Sequence, residues 1–356
     1  MTTRSRLGVV GVALATLLAP LGLALTTTTA EAAPSKTHHL QVYKKQAHVV
    51  LDALDPDAEF DGPALENTKK FVVACDSGDF AVDGTWTVDK VDDSNAEDGS
   101  HVAGDESLVA VTESVGRNGM GANARNRWDF SMTNLAPARA QVTAYVVCLN
   151  STTRGGSNPD HLLTISDRFD DGTTNVTSAD TAVSTSPCAA NQISVANGWS
   201  NYTDPTSTPQ VRRSWASSSA ATSWQFTFRT VSGTAQVTRF HRCLTLKTQA
   251  ATNVNAARAH AHDLFASFDP EYTSSGKVIT DHAEDAVVTA DCNASEAAYV
   301  VHGFSLEDPS AAGADFLGVG PRHRTGAWHF AVPSDHTRVH VGGICLRLRT
   351  GKQVAP

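Results

Sequence analysis

The chain has 356 residues, 41% of them apolar and 18% charged, with a formal net charge of −9. That apolar content can build packed cores, which excludes a disordered chain. The acidic balance and the lack of any long Lys/Arg run exclude nucleic acid and anionic lipid as default partners.

The first predicted element is a signal peptide over residues 1–32. Arg4 and Arg6 precede an apolar stretch from Leu7 to Leu25, and Ala30-Glu31-Ala32 has the small-x-small form of a cleavage site. A retained anchor is the competing reading, because Leu7–Leu25 is just long enough to span a bilayer. Pro20 and the adjacent cleavage pattern favour removal. No second apolar stretch of that length follows, so the mature chain is expected to be secreted and free of membrane.

Three segments then carry the same marks in the same order: residues 33–155, 156–250 and 251–356. Each opens on a His-led strand: His48-Val-Val-Leu, His161-Leu-Leu-Thr and His262-Asp-Leu-Phe. A Cys follows (Cys75, Cys188, Cys292), then a glycine-bearing stretch ending in an aromatic (Trp86, Trp199, Phe304). A middle strand is predicted at Ser107–Thr112, Gln210–Trp215 and Phe316–Val319. Next comes Trp-x-Phe, at Trp128 and Phe130, Trp224 and Phe226, Trp328 and Phe330. A closing Cys-Leu ends each segment, at Cys148, Cys243 and Cys345.

These marks are strand chemistry. Trp and Phe two residues apart project onto one face of a strand, where they fill a core. Helical periodicity is almost absent, and Ser, Thr, Asp, Gly and Pro punctuate the chain at short intervals. The predicted fold is therefore all-β: three tandem, disulfide-closed, antiparallel β-sandwich-like repeats of about six strands each. The alternative is one β-prism or trefoil-like body with pseudo-threefold symmetry. Six Cys in an exported chain imply disulfides, and six allow fifteen pairings. The repeat narrows these to Cys75–Cys148, Cys188–Cys243 and Cys292–Cys345.

The run from Cys through Val-x-x-Gly-Trp to Trp-x-Phe and the terminal Cys-Leu resembles an uncharacterised repeat of exported proteins from high-GC actinobacteria. That repeat usually carries Pro after its first Cys, whereas this chain has Cys75-Asp76, Cys188-Ala189 and Cys292-Asn293. The resemblance covers nearly the whole mature chain. It implies compartment and architecture, with no settled activity.

No nucleophile elbow, zincin helix, phosphate loop or paired C-x-x-C motif occurs. His260-Ala-His262 and His336 with His340 place imidazoles on one strand face, a pattern that ligates metal only if a third ligand converges. The acidic runs Asp55–Asp61 and Asp92–Gly99 lack the bidentate Glu of a calcium loop. No catalytic residue, metal ligand or cofactor is therefore assigned. The residues favour a secreted binding or surface-associated structural protein, with a glycan, cell wall or protein as partner. The alternative is an extracellular hydrolase whose site lies in one divergent repeat, such as the Asp89–Asp105 insertion.

Overall fold

Among the described residues nearly all regular structure is strand, and the side chains of Trp224–Thr230 alternate buried and half-buried without a break. The computed structural model describes residues 40–54, 67–92, 109–118, 122–136, 138–153, 161–201, 209–230, 233–249, 261–271, 277–279, 286–290, 298–307, 318–321, 328–332 and 337–354. In the first segment these form β1 (Val42–Leu51), β2 (Thr68–Ala74), β3 (Phe80–Asp92), β4 (Val109–Gly116), the four-residue turn α1 (Ala122–Arg125), β5 (Arg127–Asn134) and β6 (Arg139–Leu149). The second contributes β7 (Phe169–Val176), β8 (Thr181–Ser184), β9 (Gln192–Asn201), β10 (Pro209–Ala216), β11 (Trp224–Thr230) and β12 (Ala235–Thr245). The third contributes β13 (Ala261–Glu271), β14 (Lys277–Ile279), β15 (Ala286–Ala290), β16 (Ala298–Glu307), β17 (Gly318–Pro321), β18 (Trp328–Val332) and β19 (Thr337–Val354).

The strands form three antiparallel sheets. One runs β1-β6-β3-β17-β18-β15, the second β2-β5-β4-β9-β12-β7, and the third β13-β19-β16-β10-β11-β8 with β14 beside β19. Every sheet therefore combines strands from two of the sequence segments. The joins are short. Glu113 and Ser114 pair with Ser200 and Trp199, Arg213 and Ser214 pair with Ser305 and Phe304, and Gly318 pairs with Thr87.

This differs from three self-contained sandwiches. Closed sandwiches would leave β3, β4, β9, β10, β16 and β17 as sheet edges with unpaired N–H and C=O groups. Pairing them across segments satisfies those groups and leaves fewer open edges. The three Gly-aromatic strands also meet: β3 packs against both β9 and β16.

Each segment still has two layers facing one another. In the first, β1 packs on β2, β6 on β5 and β3 on β4. The Cys75–Cys148 bridge links the two layers, as Cys188–Cys243 does in the second segment. Cys345 in β19 is also disulfide-bonded, while Cys292 lies outside the described residues. Bridges closing loops of 73 and 55 residues contribute about 4 kcal/mol each in the chain-entropy picture, before native strain. No helix among the described residues is long and apolar enough to cross a membrane.

One predicted element moves. His161-Leu-Leu-Thr is not a strand; it makes one isolated bridge, Leu162 to Thr152, and Ile165 just after it makes another, to Leu244. The outer strand beside β12 is instead β7, where Thr173 faces Thr238 across a 2.7 Å hydroxyl contact.

Candidate functional site

The repeated aromatics lie in the interior. Trp128 and Trp224 have no exposed surface, and Phe130, Phe226, Trp86, Trp199 and Phe304 are buried with them. Both indoles have a partner for their single donor. Trp128 Nε1 donates to Ser114 Oγ at 3.0 Å, and Trp224 Nε1 to Ser214 Oγ at 2.8 Å. The two serines sit at the cross-segment joins on β4 and β10. The Trp-x-Phe mark thus fills the core and also fastens the middle strand next to it. Trp328 and Phe330 lie on β18, whose side chains are outside the described set.

The histidines among the described residues lie on different elements. His48 is an exposed residue of β1 with Nδ1 2.9 Å from Thr143 Oγ1. His161 is buried off any strand, with Nδ1 3.3 Å from the Gln249 carbonyl. His262 faces Gln353 across β13 and β19, and His340 faces Ser305. His260, His323 and His336 lie outside the described residues, as do Asp55–Asp61 and the insertion beyond Asp92.

Two buried Asp–His pairs were not singled out from the sequence. Asp83 on β3 accepts the backbone N–H of His302 at 2.8 Å, and its carboxylate also meets His302 Nδ1. Burial pushes the Asp83 carboxyl up, and the His302 contacts oppose that push. This pair ties the first segment to the third near the meeting of the Gly-aromatic strands. The signal was present: Val82-Asp-Gly and Val301-His-Gly each place an ionisable residue in an otherwise apolar mark.

Asp171 on β7 lies 2.6 Å from His241 Nδ1 on β12, with both side chains at most 2% exposed. Its other oxygen accepts the Ser186 N–H at 2.8 Å. Burial raises the Asp171 carboxyl, but the hydrogen bonds from His241 and Ser186 outweigh it and hold the group below the ordinary carboxylate range. The Phe169 ring stacks on the imidazole at 4.9 Å. His241 also sits beside the bridge, where it and Cys188 and Cys243 offer atoms within 4.8 Å of one another. Both sulfurs are joined to each other, so the thiolates that metal ligation requires are tied up in the disulfide.

No family model, no curated protein and no solved structure matches the chain. The site is therefore read from its own chemistry. Each Asp–His pair has the carboxylate-on-imidazole arrangement of a general base, but base catalysis needs the free imidazole nitrogen within reach of a substrate. Here His241 is 1% and His302 7% exposed, and each pair joins two different strands. The chemistry available to them is cross-linking of strands.

Proposed function

We propose that this chain is an exported, non-enzymatic binding or surface-associated structural protein. Its three disulfide-closed segments are repeats fused into one β-prism-like body about a shared centre. The observation that carries this reading is the pairing pattern. Each join uses the same two strand types, a Gly-aromatic strand against a middle strand: β9 on β4, β16 on β10 and β3 on β17. Cyclic sharing of edges is the pattern a pseudo-threefold body needs, and it makes the segments one mechanical unit. Export is supported by the apolar N-terminal stretch with its cleavage pattern and by the disulfides. A non-catalytic role is supported by the closure of both Asp–His pairs to solvent. Three related segments in one rigid body suit a repetitive partner, and a cell-wall glycan is the partner class that fits best.

The test is co-sedimentation of the mature chain, beginning at residue 33, with purified actinobacterial cell walls. The expected result is saturable binding with unchanged wall turbidity and no released sugar. Failure to sediment would refute wall association. Loss of turbidity with release of reducing sugar would replace this reading with the extracellular hydrolase.

A further inference from the structure

The Cys188–Cys243 bridge has a neighbour that the Cys75–Cys148 bridge lacks. His241 stands two residues before Cys243 on β12, and with Cys188 and Cys243 it offers atoms within 4.8 Å of one another. No third His, Cys, Asp or Glu groups with Cys75 and Cys148 in this way among the described residues. Asp171 holds Nδ1 of the His241 ring at 2.6 Å and itself accepts the Ser186 N–H at 2.8 Å. This leaves Nε2 as the nitrogen that can serve a sulfur. Carboxylate, imidazole and sulfur in that order is an arrangement that activates thiols, because an imidazolium stabilises a thiolate.

The two cysteines are unequal. Cys243 lies within β12 and is 3% exposed, whereas Cys188 lies in the connection between β8 and β9 and keeps 9% of its surface open. Around it Ser186, Pro187, Ala189, Ala190 and Asn191 are exposed. A thiolate from outside therefore meets Cys188, and Cys243 is the sulfur that departs. Both backbones have holds of their own. Cys188 N–H donates to the Thr222 carbonyl at 2.8 Å, and Cys243 N–H to Ser166 Oγ at 2.9 Å. The charged neighbours of His241 have other partners. Arg239 donates to Thr174 Oγ1 at 2.9 Å and to the Asp171 carbonyl, Arg242 donates to the carbonyls of Ser166 and Arg117, and Asp170 accepts the Gly172 N–H at 2.9 Å.

We propose that Cys188–Cys243 is a thiol–disulfide exchange site whose reaction partner is an external dithiol, with His241 holding the departing Cys243 thiolate. A thiolate of the dithiol attacks Cys188 Sγ, the bond between the two cysteines breaks, and its electron pair stays on Cys243. The second thiolate of the dithiol then attacks the mixed disulfide at the dithiol's own sulfur and releases Cys188. The bridge is reduced by two electrons and the dithiol oxidised by two. The dithiol's two protons go to Cys188 and to Nε2 of His241, so the Cys243 thiolate faces an imidazolium that Asp171 orients. His241 needs no opening to solvent for this, because the sulfur it serves is already beside it. A stabilised thiolate favours the reduced form, so this bridge opens under milder reduction than one without such a partner. The exchange is stoichiometric and does not depend on wall binding.

The test equilibrates the full mature chain at neutral pH in mixtures of reduced and oxidised dithiothreitol, then quenches with acid, alkylates and maps the peptides of each bridge. Cys188–Cys243 should be half open at a ratio of reduced to oxidised reagent about tenfold or more below that for Cys75–Cys148, the scale on which thiolate stabilisation acts. His241→Gln should raise the ratio for Cys188–Cys243 by about tenfold, towards that of Cys75–Cys148. Asp171→Asn keeps an acceptor for Nδ1 but removes the charge that supports an imidazolium. It should shift the ratio the same way, and it serves if His241→Gln fails to fold. A merely structural His241 gives the opposite sign, because loosening β7 from β12 makes the bridge easier to open. The proposal is overturned if Cys188–Cys243 opens together with Cys75–Cys148 or after it. It is also overturned if either folded variant opens the bridge at the wild-type ratio or a lower one.

Discussion

Trp224 combines a fully buried ring with a satisfied indole donor. Trp224→Ala should therefore cost about 3–5 kcal/mol in urea unfolding, and it also strips Ser214 Oγ of its partner. A variant with the wild-type midpoint would place this ring at the surface. Asp171 sets a second expectation at this scale. Its folded carboxyl sits below the ordinary value of ~3.9. As pH falls, the unfolded chain takes up the proton first, so the stabilisation is present above ~3.9 and is lost as pH drops through the folded value. Asp171→Asn should lower stability near neutrality by roughly 1–3 kcal/mol, through the charged hydrogen bonds from His241 and Ser186. The gap to wild type should close in strong acid, where both carry a neutral side chain. Urea midpoints measured from pH 7 to pH 2 check this, and a constant gap would show that the charge of Asp171 is irrelevant. Neither Asp83 nor Asp171 stood out in the sequence, because an ionisable residue on a strand usually faces water. Their burial depends on partners 219 and 70 residues away.

The joins between segments depend on close backbone approach. A Cβ at Gly198 would meet Ser114 O at 2.4 Å and Val115 Cα at 2.7 Å. Both are backbone or near-backbone atoms of β4, which cannot swing aside as a flexible side chain would. Gly198→Ala should accordingly force β9 away from β4 and destabilise the protein by about 1–3 kcal/mol. Thermal unfolding measures this, and an unchanged melt would mean the join is loose. Legibility varied among strands for a physical reason. β11 alternates buried and half-buried residues cleanly, so period two was enough to find it. β7 is exposed along most of its length and turns through Gly172 at φ 79°. It carries almost no apolar signal, and only its hydrogen bonds to β12 make it a strand.

In the whole molecule, the second segment contributes halves to two sheets, and β9 and β10 both pair outward. Cutting out residues 156–250 exposes the β9 and β10 edges and removes the Arg117 carbonyl that Arg242 uses. This fragment, with its Cys188–Cys243 bridge intact, should melt well below the full chain or self-associate through its open edges. Calorimetry with sedimentation velocity distinguishes the cases. A monomeric fragment melting at the full-chain temperature would show that the segments are independent modules.

The sequence by itself determined the local facts: strands as the prevailing element of the described residues, the buried aromatics among them, and the Cys75–Cys148 and Cys188–Cys243 pairs. These follow from side-chain period and recurrence, which are properties of neighbouring residues. Only the tertiary structure decided that β4 pairs β9, that β10 pairs β16, and that Asp83 meets His302. An edge strand presents the same row of N–H and C=O groups to any partner, so its own residues do not name the strand it will join. That choice is made by the packing of three segments at once, where a glycine's missing Cβ, a serine under an indole and a buried carboxylate all find their partners on other strands.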